Sequence, residues 1–429
     1  MTREDCLTLD ASDPLAPLRQ LFDLRPGLIY LDGNSLGALP RAAPARVAQV
    51  VKEEWGQGLI QSWNTAGWIR LPQRVGDKIA RLVGAAPGEV AVADSTSVNL
   101  YKVLCAASGV SRADRPERRV ILSERSNFPT DLYIAEGLAR ELGWQLVLAD
   151  DPDSLVPRLQ ARDVALLMLT HVNYRNGFMH DMRALTEAAH AAGTLTVWDL
   201  AHSAGAVPVD LHAAQADYAV GCGYKFLNGG PGAPAFVWAH PRHADRFWQP
   251  LSGWMGHAAP FEFSAAYRPA SGIARYLCGT PPVLSLAALE CGVDTLLAAE
   301  PLGGMAAVRS KSIALTALYA QLVDRRCAGS GLAIVSPGDA ARRGSQVCLA
   351  HDDGSGTSGG YAIVQALIAR GVVGDFRAGD GRAPDILRFG FTPLYTRFVD
   401  VWDAVEQLRQ VMQSGEWREE RFNRRAAVT

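Results

Sequence analysis

Short apolar runs alternate with mixed apolar and polar stretches through the middle of this 429-residue chain, and that alternation predicts a layered α/β fold. Val120-Ile-Leu-Ser, Gln145-Leu-Val-Leu-Ala, Val164-Ala-Leu-Leu-Met-Leu-Thr, Thr194 to Leu200, Tyr218-Ala-Val-Gly and Ala235-Phe-Val-Trp read as strands. Helix-like stretches lie between them, among them Thr130 to Leu142 and Met182 to Ala192, the latter ended by Gly193. Such a pattern points to a mostly parallel central sheet with helices on both faces. In sheets of that kind ligands bind beyond the C-terminal strand ends.

From about Leu284 a long helical pattern runs to roughly Val323 and leads into a smaller α/β C-terminal domain. Strands are expected there at Leu332-Ala-Ile-Val and Gln346-Val-Cys-Leu-Ala, and helices at Gly360 to Arg370 and Val399 to Met412. The expected division is residues 1–50 as an N-terminal segment packing near the mouth of the crevice and the small domain, 51–295 as a large domain, 296–415 as the small domain, and 416–429 as a flexible tail. The loop from His351 to Gly359, rich in Asp, Gly and Ser, is expected to be mobile. No internal repeat or low-complexity tract interrupts this plan.

Composition narrows the function classes. Apolar residues make up 48% of the chain, ample for a large core, and the net charge of −2 offers no general attraction to nucleic acid or anionic membranes. No uncharged apolar run approaches the ~18 residues of a membrane span. The opening Met-Thr-Arg-Glu-Asp-Cys has acidic residues and no apolar stretch, unlike a signal peptide. Seven scattered cysteines without a C-x-x-C suggest neither a disulfide framework nor a zinc site, and nine histidines show no ligand spacing. A reducing cytoplasm and no metal are the expectations.

The chemistry concentrates on Lys225. The chain has five lysines against 37 arginines. Lys52, Lys78 and Lys102 fall in polar, helix-like segments and Lys311 in a mixed-polarity one. Lys225 alone is flanked by apolar residues and glycine, in Gly223-Tyr-Lys-Phe-Leu-Asn-Gly-Gly-Pro-Gly232. Partial desolvation there favours the free amine that Schiff-base chemistry needs. About 26 residues upstream, the strand through Thr194 to Leu200 delivers Asp199 at its end, followed by His202 and Ser203. A lysine to hold an aldehyde and an aspartate to keep a pyridine nitrogen protonated are what a pyridoxal phosphate site requires. A helix-capping aspartate and a surface lysine are the competing reading, against which the spacing, order and glycines all weigh.

Other segments fit the same site, each with a plainer alternative. Asp94-Ser-Thr-Ser-Val-Asn99 offers hydroxyls and N–H groups at a helix start, a cradle for phosphate or simply an N-cap. Phe128 would stack on the ring and Asp131 reach its polar edge, or Phe128 is core. Arg388, ending a strand before Phe391-Thr-Pro-Leu-Tyr395, suits a substrate carboxylate, or forms a surface salt bridge; Arg377 is a weaker second candidate. Ile29-Tyr-Leu-Asp-Gly-Asn-Ser-Leu-Gly37 implies close backbone approach over the mouth of the site, or a turn with no other role.

Together these strings resemble the kynureninase family, pyridoxal phosphate enzymes of fold type I in the aminotransferase class V group. The resemblance runs from Tyr30-Leu-Asp-Gly-Asn-Ser-Leu-Gly37 to Arg388-Phe-Gly-Phe-Thr-Pro-Leu-Tyr395, and Trp198-Asp-Leu-Ala-His-Ser-Ala-Gly205 and Gly223 to Gly232 are its most specific internal pieces. It implies hydrolysis of L-kynurenine to anthranilate and L-alanine by Cβ–Cγ cleavage, in tryptophan catabolism. It implies that Lys225, Asp199 and Tyr224 carry the catalysis, Tyr224 as a proton donor. Thr96 and Ser97, with Tyr224 and His202, would hold the phosphate and its surroundings, Phe128 would stack, and Asp131 and Thr170 would line the cofactor. Trp254 and Thr280 would reach across the interface of a homodimer with shared active sites. Arg388 would bind the substrate carboxylate, with Ser35 and Trp63 as further substrate contacts. Animal members have an asparagine before the pair matching Pro281-Pro282 and a histidine in the region of Trp63; Thr280 and Trp63 here look like the bacterial form, for which 3-hydroxykynurenine is the poorer substrate. The alternatives are a class V cysteine desulfurase or other lyase, for which Cys327 and Cys348 are the late-chain thiols, and a non-catalytic relative that keeps the fold.

Overall fold

The computed structural model describes residues 1–247, 249–352, 354 and 358–425. In chain order its strands are β1 (Ile29–Tyr30), β2 (Val90–Val92), β3 (Val120–Glu124), β4 (Gln145–Ala149), β5 (Val164–Thr170), β6 (Leu195–Asp199), β7 (Tyr218–Gly221) and β8 (Phe236–Ala239). They continue with β9 (Leu332–Ile334), β10 (Gln346–His351), β11 (Val372–Val373), β12 (Asp375–Arg377) and β13 (Ile386–Gly390).

One seven-stranded sheet takes β2 to β8 in the order β2-β8-β7-β6-β5-β3-β4. The block from β4 to β7 is parallel, and β8 runs antiparallel to both of its neighbours. Crossover connections explain the difference. The helices Pro129–Leu142 and Met182–Ala192 carry the chain back between parallel strands, whereas β7 returns directly as β8 through a loop without a helix. That loop holds Lys225.

All seven residues of β5 are buried, which its unbroken apolar run required. Leu167 and Leu169 pack on one face with Trp198 and Leu200; Leu166 and Met168 pack on the other with Val197 and Tyr218. Each such side chain removed from water contributes roughly 1.5–3 kcal/mol. Because β3 lies between β4 and β5, the chain winds outward and then doubles back, which opens a crevice at the C-terminal strand ends. There Thr170 of β5 pairs in register with Asp199 of β6.

The second core is smaller. An antiparallel sheet β12-β13-β10-β9 packs with the helices Gly304–Arg326, Gly360–Ala369 and Phe398–Ser414. The N-terminal segment joins this core through Cys6 and Leu31, and β1 pairs in parallel with β11. The long helical pattern from Leu284 is in fact two helices, Val283–Leu297 and Gly304–Arg326. Pro301 and Gly303 (φ +103°) break it, since neither a ring-locked φ nor a left-handed residue continues an α-helix. The stretch after residue 416 departs from the expected flexible tail. Trp417 and Phe422 are buried on the small-domain core, and the short Glu420–Asn423 helix packs there, because two aromatics among the arginines outweigh the charge of the stretch. Residues 426–429 and part of the loop expected to be mobile lie outside the described residues.

One buried carboxylate pins β7 in place. Asp217 accepts from Thr196 N (2.8 Å) and Arg242 Nη2 (2.6 Å) and pairs with His190 Nε2 (2.8 Å) and His243 Nε2 (2.8 Å). Burial alone would raise its pKa, but the histidine and arginine partners hold it well below the usual carboxylate range. A depressed folded pKa gives stability that is present above the unfolded value and fades as pH falls through it. Asp217→Ala is therefore expected to lose about 3–5 kcal/mol at pH 7, since it strands buried donors. Urea unfolding followed by circular dichroism reads this, and the deficit should narrow below about pH 4.

Candidate active site

The loop after β7 is coiled tightly enough to aim one amine. Gly229 N donates to Gly223 O (2.9 Å), and Asn228 N donates to Lys225 O (2.9 Å) with Asn228 itself left-handed at φ +56°. A Cβ on Gly223 would stand 2.3 Å from Pro234 O, so this position tolerates only glycine. The result brings Lys225 Nζ to 3.0 Å from His202 Nε2 and 5.8 Å from the ring centre of Phe128. His202 is fully buried, and burial first, then the Lys225 charge, pushes its pKa well below the ordinary imidazole value. It is held neutral.

Asp199 and Asp131 face this amine from the sheet and from the helix Pro129–Leu142. Asp199 Oδ1 accepts from Ala201 N (2.8 Å), a turn that sets His202 three residues on. Asn127 Nδ2 donates to Asp131 Oδ2 (3.0 Å), its Oδ1 accepts from Thr170 N (2.7 Å), and Thr170 Oγ1 lies 3.4 Å from Asp131. Burial raises both carboxyls; the negative charge of Asp199 adds to the rise at Asp131, while Lys225 opposes it at Asp199. A protonated ring nitrogen brought to Asp199 would supply the cation this pair lacks, which is the first test that a pyridoxal ring fits.

The second test is at the helix Thr96–Asp114. Ser95 caps it, accepting from Val98 N (3.3 Å), and so is engaged. Thr96 Oγ1 is buried without a hydrogen-bond partner. An orphan hydroxyl and the helix N-terminal N–H groups, with Ser97 beside them on the cavity wall, fit a phosphate. Asp94, one residue before the cap, sits at φ +50°, strain of the kind that gathers at binding sites. Phe128, 37% exposed, and Tyr224 face the same cavity of about 530 Å³, together with Leu36, Tyr174 and Cys222. Burial pushes the Tyr224 phenol up to about 12, so it keeps its proton at neutral pH. Two larger clefts, about 940 and 770 Å³, open elsewhere, and no lysine lines either.

The N-terminal motif closes one side. Gly37 N donates to Tyr224 O (2.8 Å), and a Cβ on Gly37 would meet Lys225 O at 2.4 Å. Ser35 Oγ donates to Asp375 Oδ2 (2.7 Å) and accepts from Arg388 Nη2 (2.9 Å). The Arg388 fork itself grips Asp375 through Nε (2.8 Å) and Nη2 (2.5 Å), while Nη1 donates to Tyr174 O (2.8 Å). Four of its five donors are thus engaged inside the protein, and the free bidentate fork expected for a substrate carboxylate is absent here. Arg377 Nη2 stands 2.7 Å from the same aspartate, and burial together with Asp375 pushes Asp32 up to about 7.

The structure does not bring every expected residue to the cavity. Trp63 and Trp254 pack on each other (ring centres 5.9 Å), and Thr280 lines a small neighbouring pocket that shares Asp94. Lys102 departs from its reading as a residue of a polar segment. It is fully buried, ion-paired with Asp94 and donating to Tyr276 O (2.7 Å). Lys311 is also buried, paired with Asp13 at 2.6 Å. Lys225 is set apart from these two by a neutral imidazole partner rather than by burial. Asp375 and Gln346, the latter 3.2 Å from His202 Nδ1, escaped the sequence reading because no local motif marks them.

Residues 308–408 match the model of the kynureninase C-terminal domain. The chain is 57% identical to a kynureninase of Burkholderia pseudomallei and 56% identical to one of Pseudomonas fluorescens, each over all of both chains. Among solved structures it is similar to a cysteine desulfurase from Thermococcus onnurineus NA1 (TM-score 0.76, 17% identity, 93% of this chain and 98% of that one). It is likewise similar to one from Escherichia coli (TM-score 0.75, 20% identity, the same coverage). At those identities the likeness establishes the fold, a mostly parallel α/β sheet shared with those enzymes.

Proposed function

This chain belongs to the kynureninase family, and from that premise we propose that it uses pyridoxal phosphate to hydrolyse L-kynurenine to anthranilate and L-alanine. The observation that carries the chemistry is the Lys225 amine held 3.0 Å from a neutral His202. When bound, the cofactor supplies an electron sink that stabilises negative charge beside the amino-acid nitrogen. Lys225 would anchor its aldehyde and then take the proton from the substrate α-carbon. Asp199 would keep the ring nitrogen protonated, with Phe128 against the ring and Asp131 and Thr170 at its edge. Thr96 and Ser97 would hold the phosphate. Water adds at the γ-carbonyl, and Tyr224, still protonated at neutral pH, delivers a proton to the β-carbon as the Cβ–Cγ bond breaks. Arg388, held rigid by Asp375 and Ser35, offers its remaining N–H to the substrate carboxylate, with Arg377 beside it.

Trp254 and Thr280 belong, on this reading, to the partner's cavity in a homodimer. An aromatic string, Trp63–Trp254–Phe261–Phe263, with ring centres 5.8–6.3 Å apart, runs from two half-buried tryptophans to two exposed phenylalanines and supports such an interface, Phe263 being 76% exposed. Seven cysteines without a disulfide are consistent with a reducing cytoplasm, and no helix among the described residues is long and apolar enough to cross a membrane. The desulfurase reading is disfavoured by its thiols. Burial pushes Cys348 up to about 12 and Cys327 up to about 11, where neither supplies a thiolate at neutral pH.

The testing experiment is product fluorescence with L-kynurenine and 3-hydroxykynurenine in parallel. The expected result is anthranilate release with kcat/KM at least about tenfold higher for L-kynurenine, a difference of about 1.4 kcal/mol. Turnover of cysteine with neither kynurenine hydrolysed would overturn the proposal.

A further inference from the structure

His202 is reached from the small domain by a side chain that no local motif announces. Gln346 opens β10, is 1% exposed, and points its amide between two groups of opposite demand. Its Nε2 faces the carbonyl oxygens of Tyr174 (3.1 Å) and Asn173 (3.3 Å). Both are acceptors, so the amine end of the amide must lie there; the flipped amide would set Oε1 against two carbonyls. Its Oε1 therefore faces His202 Nδ1 at 3.2 Å. Gln346 packs closely over Gly177, where an added Cβ would meet Gln346 Cγ at 2.8 Å, so glycine there makes room for the amide stem.

An amide oxygen only accepts, so His202 Nδ1 carries the proton. In a neutral ring Nε2 is then bare, and it is Nε2 that meets Lys225 Nζ at 3.0 Å. We propose that Gln346 is a positioning residue that locks His202 in its Nδ1-protonated form and so presents a lone pair to the Lys225 amine. The opposite tautomer would turn an N–H toward that amine, an arrangement an ammonium cannot satisfy. The Nδ1–H form accepts from Lys225 in either of its protonation states, and can keep the amine oriented while it gains and loses a proton. Tyr174 O also accepts from Arg388 (2.8 Å), so one carbonyl joins this chain of hydrogen bonds to the arginine assigned to substrate. The inference rests on Lys225 as the cofactor lysine for its catalytic meaning, but not for the tautomer.

The test uses full-length protein labelled with ¹⁵N-histidine, with and without cofactor, and assigns the His202 ring by difference against His202→Gln. The expected spectrum has a pyrrole-like Nδ1 and a pyridine-like Nε2. Gln346→Leu removes the acceptor and should mix the two tautomers. Gln346→Glu keeps an acceptor but adds charge, so it should retain the Nδ1 proton and raise the fraction of imidazolium. The charges that act most strongly on His202 are those of Lys225, Arg388 and Arg377, which all oppose that second proton. In the cofactor-loaded protein the visible-absorbance titration should move upward by about one pH unit with Gln346→Glu. A pyridine-like Nδ1 in the unsubstituted protein overturns the proposal without recourse to any variant. Unchanged ring signals and superimposable titrations in both variants, with native near-UV circular dichroism, overturn it equally. A colourless protein with the expected tautomer would instead count against the cofactor reading alone.

Discussion

Lys225→Ala protein is expected to lose kynurenine hydrolysis by on the order of 10⁴-fold or more, about 5.4 kcal/mol in transition-state stabilisation. The size follows from the two tasks given to one amine, anchoring the cofactor and moving the α-proton. No nearby lysine replaces it: Lys102 is paired with Asp94 and Tyr276 O, and Lys311 with Asp13 in the N-terminal segment. The fold should be indifferent, because Lys225 is half-buried and its Nζ makes one hydrogen bond among the described residues, to His202, which keeps its bond to Gln346. Anthranilate fluorescence reads the loss. Borohydride reduction reads the anchoring, since the unsubstituted protein should keep the cofactor through denaturing dialysis and the variant should not. A variant within tenfold of the original rate would remove Lys225 from the mechanism.

Asp199→Asn should move activity and stability in opposite directions. Asparagine keeps the shape and still accepts from Ala201 N, but it cannot pair as an anion with a protonated ring nitrogen. Loss of one charge-stabilising contact in a water-poor site lowers kcat by about 10²–10³-fold. In the cofactor-free protein the sign reverses. Burial raises the Asp199 pKa, and a carboxyl whose folded pKa is raised costs stability at any pH above it. Removing that charge, which also relieves Asp131, should leave the melting temperature of the cofactor-free variant equal to or above that of the original. A fall in both quantities would mean that Asp199 is a structural anchor instead.

Legibility followed sequence distance. Asp199 and Lys225 could be found because each ends a short apolar run, and in a parallel sheet strand ends gather on one edge. The Thr96 and Gly37 segments could be found because helix starts and glycine-dense turns carry local signatures. Arg388 stood out at the end of an apolar run, yet its partner was not foreseen. Asp375 meets it across the β12–β13 pairing, where only the register places the two side by side. Gln346 lies 144 residues from His202, and nothing in Gln-Val-Cys-Leu-Ala marks its first residue as different from any polar strand end.

The burial of the lysines illustrates the same division. Lys102 and Lys225 both disappear, wholly or partly, from solvent, and local composition ranked them the wrong way in burial. What separates them is the partner: Lys102 is ion-paired with the Asp94 carboxylate, whereas Lys225 meets the neutral imidazole of His202. The amino-acid sequence by itself determined the layered fold, the edge of the sheet where the site lies and the residue types gathered there, because hydrophobic periodicity and turn chemistry act over a few residues. The tertiary structure alone decided which charges are neutralised, which tautomer His202 holds and which arginine donors stay free, because those depend on hydrogen bonds between segments that only the fold brings together, some of them more than a hundred residues apart.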